Sequence, residues 1–266
     1  MKANNKAITG VLHQAKTKVN YDLRRYFPEG NLTSLVEQYW FVDWSLEGGK
    51  THTQQNLPDP NFHLVFEKGK ARLVGPVSKV YQYTMKEKGK IFGVKFRVGA
   101  LVKWLGCPVV EYIDQERGAS EVFGIEVEAL ALELTSTHND EQAFAKIQTF
   151  LSPFVIEPSP SIDALEQHLS LIKDNIDITR VKQLSEYTNT SVRSLQRNFS
   201  YYLGFSPKWL IRKYRLHQAL TKLEKAECDI AEIVEWLGYT DQSHLIKDFK
   251  ELIGVTPNHY LRAGKS

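Results

Sequence analysis

Ser194 to Phe199 is followed by Gly204-Phe205-Ser206-Pro207, and the pattern returns 50 residues later as His244 to Phe249 followed by Gly254-Val255-Thr256-Pro257. Leu195 aligns with Leu245, Phe199 with Phe249, Gly204 with Gly254, Pro207 with Pro257 and Arg212 with Arg262. Two copies are too few for a solenoid, in which each unit buries its face on a neighbour. The repeat instead requires two similar units of short helices, each closing its own apolar stripe.

Helix boundaries are legible in both copies. Ser191 and Asp241 occupy equivalent positions and are good N-caps, because a short side-chain oxygen can accept from the free N–H groups of the first turn. Asp229 and Glu232 have capping-box spacing at the start of Ile230 to Leu237. Ser206-Pro207 and Thr256-Pro257 each place a capping residue before a proline at the first helical position. Gly204 and Gly254 suit a left-handed helix end.

Within the helix near 191–203, Val192, Leu195, Phe199 and Tyr202 share a face that reads as core. Arg193, Gln196, Arg197 and Ser200 fall on another face. In the copy near 241–253, Leu245, Phe249 and Leu252 are the buried set, with Ser243, Ile246, Lys247 and Lys250 outward. Core positions therefore agree while most surface positions differ, as in two readers of different bases or in drift on a free surface. From Tyr187 to Leu223 there are seven Lys or Arg residues and no Asp or Glu, a footprint for phosphate or simply a solvated face. Arg can pair bidentately with guanine and Gln with adenine in the major groove. A short helix before each reader, Arg180 to Tyr187 and Ile230 to Leu237, completes two helix-turn-helix units. The segment Pro207 to Ala226 joins them, with Lys208, Arg212 and Lys213 available for phosphate.

The first half has a different texture. Leu35 to Trp44, Phe62 to Phe66, Lys79 to Tyr83 and Ile91 to Val98 read as strands, the last with Val94, Phe96 and Val98 on one face and Lys95 and Arg97 on the other. Ala100 to Leu105, Gly124 to Thr137 and Glu141 to Leu151 then read as helices. The second of these could pack on its own sheet or serve as a dimer helix. Pro158-Ser159-Pro160-Ser161 is the Pro/Ser-rich stretch where the chain divides. The expected fold is a two-domain α+β protein: a β-rich, cupin-like barrel or sandwich with helices over 1–155, a linker over 156–161, and an all-α domain over 162–266. With 266 residues, two domains fit.

The segments Arg215 to Leu220, Ile230 to Ile233, Leu237 to Leu245 and Gly254 to Arg262, together with Ser191 to Pro207, closely resemble the DNA-binding domain of AraC/XylS-type transcription regulators. The resemblance covers about residues 162–262 and implies a seven-helix domain with two helix-turn-helix units in successive major-groove segments. By this analogy Arg193, Gln196 and Arg197 of the first unit and Gln242, Ser243 and Lys247 of the second contact bases; Ser200, on the same face of the first helix, and Lys208 and Arg212, read above as phosphate contacts, complete the DNA-binding candidates. Ile246 stands where the family more often has a small polar residue, and Lys247 where Arg is frequent, which points to a weaker second half-site. Asn56 to Phe66 and Gly93 to Leu101 look like the β-rich sensor domain that precedes such domains. The implied partners are double-stranded promoter DNA, RNA polymerase, a small-molecule effector and a second copy in a homodimer. The implied role is that of a transcription regulator, an activator by expectation.

For the effector, Trp40, Phe62, Phe96 and Arg97 are the candidates: aromatic walls and a cation for an anionic group. Arg97 could equally meet solvent. His52, His63 and Glu67 lack a recognisable metal-ligand spacing, and Cys107 and Cys228 form neither a metal motif nor a disulfide framework. No metal or cofactor is expected. Phosphate loops, nucleophile elbows and paired catalytic carboxylates do not stand out, so no enzyme is expected. Without an apolar run long enough to span a bilayer or a signal-like N-terminus, the expected location is the cytoplasm, with no membrane partner. The competing classes are an enzyme or small-molecule carrier whose cupin-like barrel is targeted by a DNA-binding tail, and a regulator that acts by abundance alone.

Overall fold

The computed structural model describes residues 10–13, 19–137, 139–157, 159–225 and 229–263. The polar start of the chain, Pro158 of the expected linker, Ala226 and Cys228 lie outside them.

The N-terminal half contains β1 (Asp22–Tyr26), β2 (Val36–Ser45), β3 (Thr51–Asn56), β4 (His63–Glu67), β5 (Lys70–Val74), β6 (Tyr81–Lys86), β7 (Lys88–Phe96) and β8 (Glu116–Gly118). They form a six-stranded sheet in the order β1-β2-β7-β4-β5-β8 and a separate ribbon of β3 and β6. All the pairings are antiparallel. The sheet is open, with β1 and β8 as its edges, so the expected barrel does not close. The ribbon strands pair with each other and not with the strands of the larger sheet.

Alternation along β2 and β7 sends side chains to two different layers. Tyr39, Phe41, Phe92, Val94 and Phe96 face a core shared with α2 (Glu126–Ser136) and α3 (Asp140–Leu151), which contribute Val127, Leu130, Leu134, Ala143, Ile147 and Leu151. Val42, Trp44, Val65, Val74 and Ile91 face the opposite side, where Met85 of the ribbon joins them. The helix expected over Gly124 to Thr137 therefore packs on its own sheet, leaving Ile125 and Leu132 outward. It is preceded by the short α1 (Ser120–Phe123). Ala100 to Leu105 is a run of turns and not the expected helix. Gly99, at positive φ, and Pro108 bracket a segment too short to propagate a helix.

The C-terminal half is helical: α4 (Pro160–Asp174), α5 (Val181–Thr188), α6 (Val192–Leu203), α7 (Pro207–Glu224), α8 (Ile230–Trp236), α9 (Gln242–Ile253) and α10 (Pro257–Ala263). Helix α4 starts inside the expected linker, because Ser159 caps it, accepting from the Ile162 N–H, and Pro160 takes the first position. Caps form as anticipated: Ser191 accepts from the Ser194 N–H at 3.1 Å, Asp241 from that of His244 at 2.8 Å, and Asp229 and Glu232 make the reciprocal box. Gly204 and Gly254 end α6 and α9 at φ of 72° and 87°, a region costly for residues with a Cβ.

Two cores result. Leu165, Leu169, Leu184, Leu195, Phe199 and Leu203 close the first unit. Ile233, Leu237, Leu245, Phe249, Leu252 and Tyr260 close the second. Helix α7 gives Leu210 and Ile211 to one and Leu216, Ala219, Leu220 and Leu223 to the other. Each fully buried Leu or Phe contributes roughly 1.5–3 kcal/mol. Val192, expected on the buried face, is 36% exposed, while Leu203 at the far end of α6 is fully buried.

Candidate nucleic-acid interface and interdomain cavity

On α6, Arg193, Gln196, Arg197 and Ser200 are all exposed, as are Gln242, Ser243 and Lys247 on α9 and Lys208 at the start of α7. Each group of donors therefore leaves the helix on the side opposite its buried stripe. Ile246, also on α9, is half-buried.

Arg212 does not belong with them. Its Nε donates to Asp248 Oδ1 at 3.0 Å and its Nη2 to Glu251 Oε2 at 2.6 Å, tying α7 to α9. Asp248 is only 3% exposed, and the Tyr239 hydroxyl donates to its other oxygen at 3.2 Å. Arg215 lies over the Tyr239 ring at 3.9 Å and donates to the Leu237 carbonyl at 2.6 Å. A guanidinium balancing a buried carboxylate is not available to phosphate, so Arg212 is a structural tie. Lys213, also expected on the phosphate face, points instead into a cavity described below.

The far ends of both reading helices rest on the N-terminal half. Tyr202 packs on Gly99, and Gly204 meets Ile113 and Val109. At the second unit the Val80 N–H donates to the Leu252 carbonyl at 3.1 Å, and the His13 ring stacks on Tyr260 at 4.1 Å. Arg97 adds a charged contact: its Nε donates to Glu166 Oε1 of α4 at 2.7 Å, and Asp163 lies at 3.4 Å. This pairing raises the Arg97 pKa and removes the residue from the effector candidates.

A cavity of about 450 Å³ lies between the open face of the six-stranded sheet, the β3–β6 ribbon and helices α4 and α7. Its apolar wall includes Trp40, Val42, Val65, Tyr81, Tyr83 and Met85. Trp40 lies flat across β7 because its partner in register is Gly93, where a Cβ would overlap the indole. Of the four effector candidates, Trp40 alone lines this space. Phe62 and Phe96 point to the other side of the sheet, where they pack on Tyr112 and Phe123.

The polar end carries the charges. Lys95 Nζ is 2.9 Å from Asp59 Oδ2 and 3.1 Å from Glu37 Oε1. Burial opposes the charge on Lys95, but these carboxylates outweigh it and raise its pKa. Burial would raise Asp59, but Lys95, Lys213 and His63 hold it well below the usual carboxylate range. Burial drives both His63 and His217 down to about 4, so both rings are neutral at pH 7. It also lowers Lys213 to about 8. Lys95 had a signal in the sequence, a cation on the strand face shared with Ile91 and Gly93. Lys213 had none, because α7 is amphipathic toward two cores at once.

The three residues weighed for a metal are held by other partners. His52 meets Asn20 at 3.2 Å, Glu67 accepts from Arg72 and Tyr83, and His63 lines the cavity. Among the described residues no group of His, Cys, Asp and Glu is arranged to hold a metal ion, and no helix is long and apolar enough to cross a membrane. Cys107 is half-buried, with Arg117 Nη1 at 3.7 Å from its sulfur.

Residues 24–117 match the family described as a domain of unknown function (DUF6597), and residues 184–263 match the family described as a helix-turn-helix domain. The HTH-type transcriptional regulator GbdR of Pseudomonas aeruginosa is 30% identical over 94 residues, covering 35% of this chain and 26% of that protein. The raffinose operon transcriptional regulatory protein RafR of Pediococcus pentosaceus is 29% identical over 83 residues, covering 31% and 30%. The chain thus spans between about a quarter and a third of the length of these relatives. Among solved structures, ToxT from Vibrio cholerae O395 is 15% identical with a TM-score of 0.42, covering 92% of this chain and 98% of that one. The C-terminal domain of AraT, a response regulator from Geobacillus stearothermophilus, is 30% identical with a TM-score of 0.36, covering 40% and 86%. Neither superposition is close enough to argue from. The two capped, glycine-ended reading helices lie inside the matched region, so the C-terminal part of the chain is a helix-turn-helix domain similar to that of these transcriptional regulators.

Proposed function

We propose that this protein is a sequence-specific, DNA-binding transcription regulator controlled by a small molecule held between its domains. One observation carries the reading: both reading helices expose long donors, and both rest by their far ends on the domain that also walls the cavity. Arg193, Gln196, Arg197 and Ser200 of α6, and Gln242, Ser243 and Lys247 of α9, face base edges in successive major-groove segments, while Lys208 meets phosphate. Arg212 takes no part. A ligand that prefers one arrangement of the domains shifts the population toward it and so changes how the two helices are presented. The partners are promoter DNA, RNA polymerase and a second copy of the chain, for which exposed Ile125, just before α2, and Leu132 of α2 offer an apolar patch. The site of action is the cytoplasm.

Selection of binding sites from random duplex DNA by the full-length protein, followed by salt titration of the winning site, tests this reading. An enriched site whose affinity falls steeply with salt is expected. Failure to enrich any sequence, with and without candidate ligands, would overturn it.

A further inference from the structure

The two reading helices carry the same pair of residue types in opposite order. On α6 the pair is Val192 and Gln196, and on α9 it is Gln242 and Ile246. The 50-residue offset of the repeat sets Val192 against Gln242 and Gln196 against Ile246. In each helix the two members stand four positions apart, on one side and about 6 Å along the axis at ~1.5 Å per residue. A base pair occupies about 3.4 Å of duplex, so such a pair can reach neighbouring base pairs of one groove segment.

Neither apolar member belongs to the core of its unit. Val192 is exposed at the first position of α6, and Ile246 is half-buried in the second turn of α9. The cores beside them are closed by Leu195, Phe199 and Leu203 from α6, and by Leu245, Phe249 and Leu252 from α9. Among the described residues that build those cores or pack against them, neither Val192 nor Ile246 is found. Helix propensity does not account for them either, because a β-branched side chain is restricted at χ1 and slightly unfavourable in a helix. A solitary exposed apolar residue is ordinary on a protein surface. These two, however, stand in the rows of donors: Val192 beside Arg193 and Gln196, and Ile246 beside Gln242, Ser243 and Lys247.

At the base edges of the major groove the apolar group is the C5-methyl of thymine. A branched hydrocarbon has no hydrogen bond to offer the other edges and gains only by covering that methyl. We infer that Val192 and Ile246 are specificity-determining residues, each covering the C5-methyl of one thymine, one in each half of the DNA site, beside the base read by the glutamine of the same helix. This rests on reading the protein as a DNA-binding regulator and names part of the sequence it selects. It also gives Ile246 a use: the second half-site exchanges a hydrogen bond for a methyl contact.

The test is equilibrium binding of the full-length protein to its selected duplex, with each thymine replaced in turn by deoxyuridine. That change removes the methyl and leaves every hydrogen-bonding group in place. Binding should weaken about fourfold at one thymine in each half-site, the value of one buried methyl group, and change little at the others. Val192→Ala should bind thymine and uridine duplexes equally at the first position and keep its sensitivity at the second. Ile246→Ala should do the converse, and Ile246→Val, still branched, should retain most of the discrimination. All three variants should melt close to the parent, because neither side chain joins a core. Uridine tolerated at every thymine, sensitivity confined to one half of the site, or the same sensitive thymines in the parent and both alanine variants would overturn the inference and leave the regulator reading standing on the enriched site. Failure to enrich any duplex would overturn both.

Discussion

The two helix-turn-helix units share a frame and solve their interiors differently. Leu195 and Leu245, Phe199 and Phe249, and the glycine ends at 204 and 254 are interchangeable in role. At the position where the first unit has half-buried Asn198, the second has Asp248, almost fully buried. That one carboxylate draws in Arg212 and the Tyr239 hydroxyl, and it takes from the phosphate face a cation that the first unit has no call to bury. Docking differs as well. The first unit meets the N-terminal half through side-chain packing on Tyr202 and Gly204, and the second through a main-chain hydrogen bond from Val80 to Leu252. A repeat thus fixes backbone and apolar stripe, while the charges are settled locally and decide which basic residues remain free.

The largest test of this contrast is Asp248→Ala. Removing Asp248 leaves Arg212 paired with exposed Glu251 alone and the Tyr239 hydroxyl without its acceptor, so the second unit should lose about 2–4 kcal/mol. Asn198→Ala in the first unit should cost under ~1 kcal/mol. Urea unfolding of both variants gives the comparison, and equal losses would erase it.

Next in size is recognition. Arg197→Ala should weaken the selected site by about 1–3 kcal/mol and relax base choice at one position. Lys247→Ala, in the weaker second half-site, should cost less and relax base choice about one helical turn away, and competition binding against single-base variants of the site separates the two patterns.

A smaller effect distinguishes the helix ends. Gly204→Ala and Gly254→Ala both force a Cβ into left-handed backbone, at a cost of about 1–2 kcal/mol. Gly204→Ala should be the worse, because its Cβ also meets Ile113 at 3.0 Å whereas nothing lies within 4 Å at Gly254. Thermal melting of the pair is the measurement.

The smallest concerns pH. Burial places the folded-state pKa of Lys213 below its unfolded value, so folding disfavours that proton. Between about 8 and the ordinary lysine value of ~10.4 the unfolded chain holds the proton and the folded protein does not. The Lys213 contribution to stability therefore rises with pH across that window and is least favourable below it. Parent and Lys213→Met unfolding curves should converge as pH rises through this range. A constant gap would show that burial of Lys213 is not what sets it.

The helical half was largely legible because its signals are local. Ser191, Asp241, Asp229 and the two glycines act on residues within one turn, and each is found in the role its position implied. What was missed depends on distant partners. Arg212 looks free until Asp248, 36 residues on, is brought beside it. Alternation separates Phe96 from Lys95 but does not reveal which face meets helices and which meets a cavity, so Phe62 and Phe96 were placed on the wrong side of the sheet. Sheet closure is likewise non-local: β3 and β6 carry ordinary strand patterns, and only their pairing with each other leaves the larger sheet open.

Hydroxyl-radical footprinting of the full-length protein on its selected site tests the central claim most directly. Two protected patches about one helical turn, ~10 base pairs, apart would place both α6 and α9 in successive major grooves, as the account predicts. A single patch, unchanged by Lys247→Ala and abolished by Arg197→Ala, would contradict it and leave the second unit as a structural partner of the first.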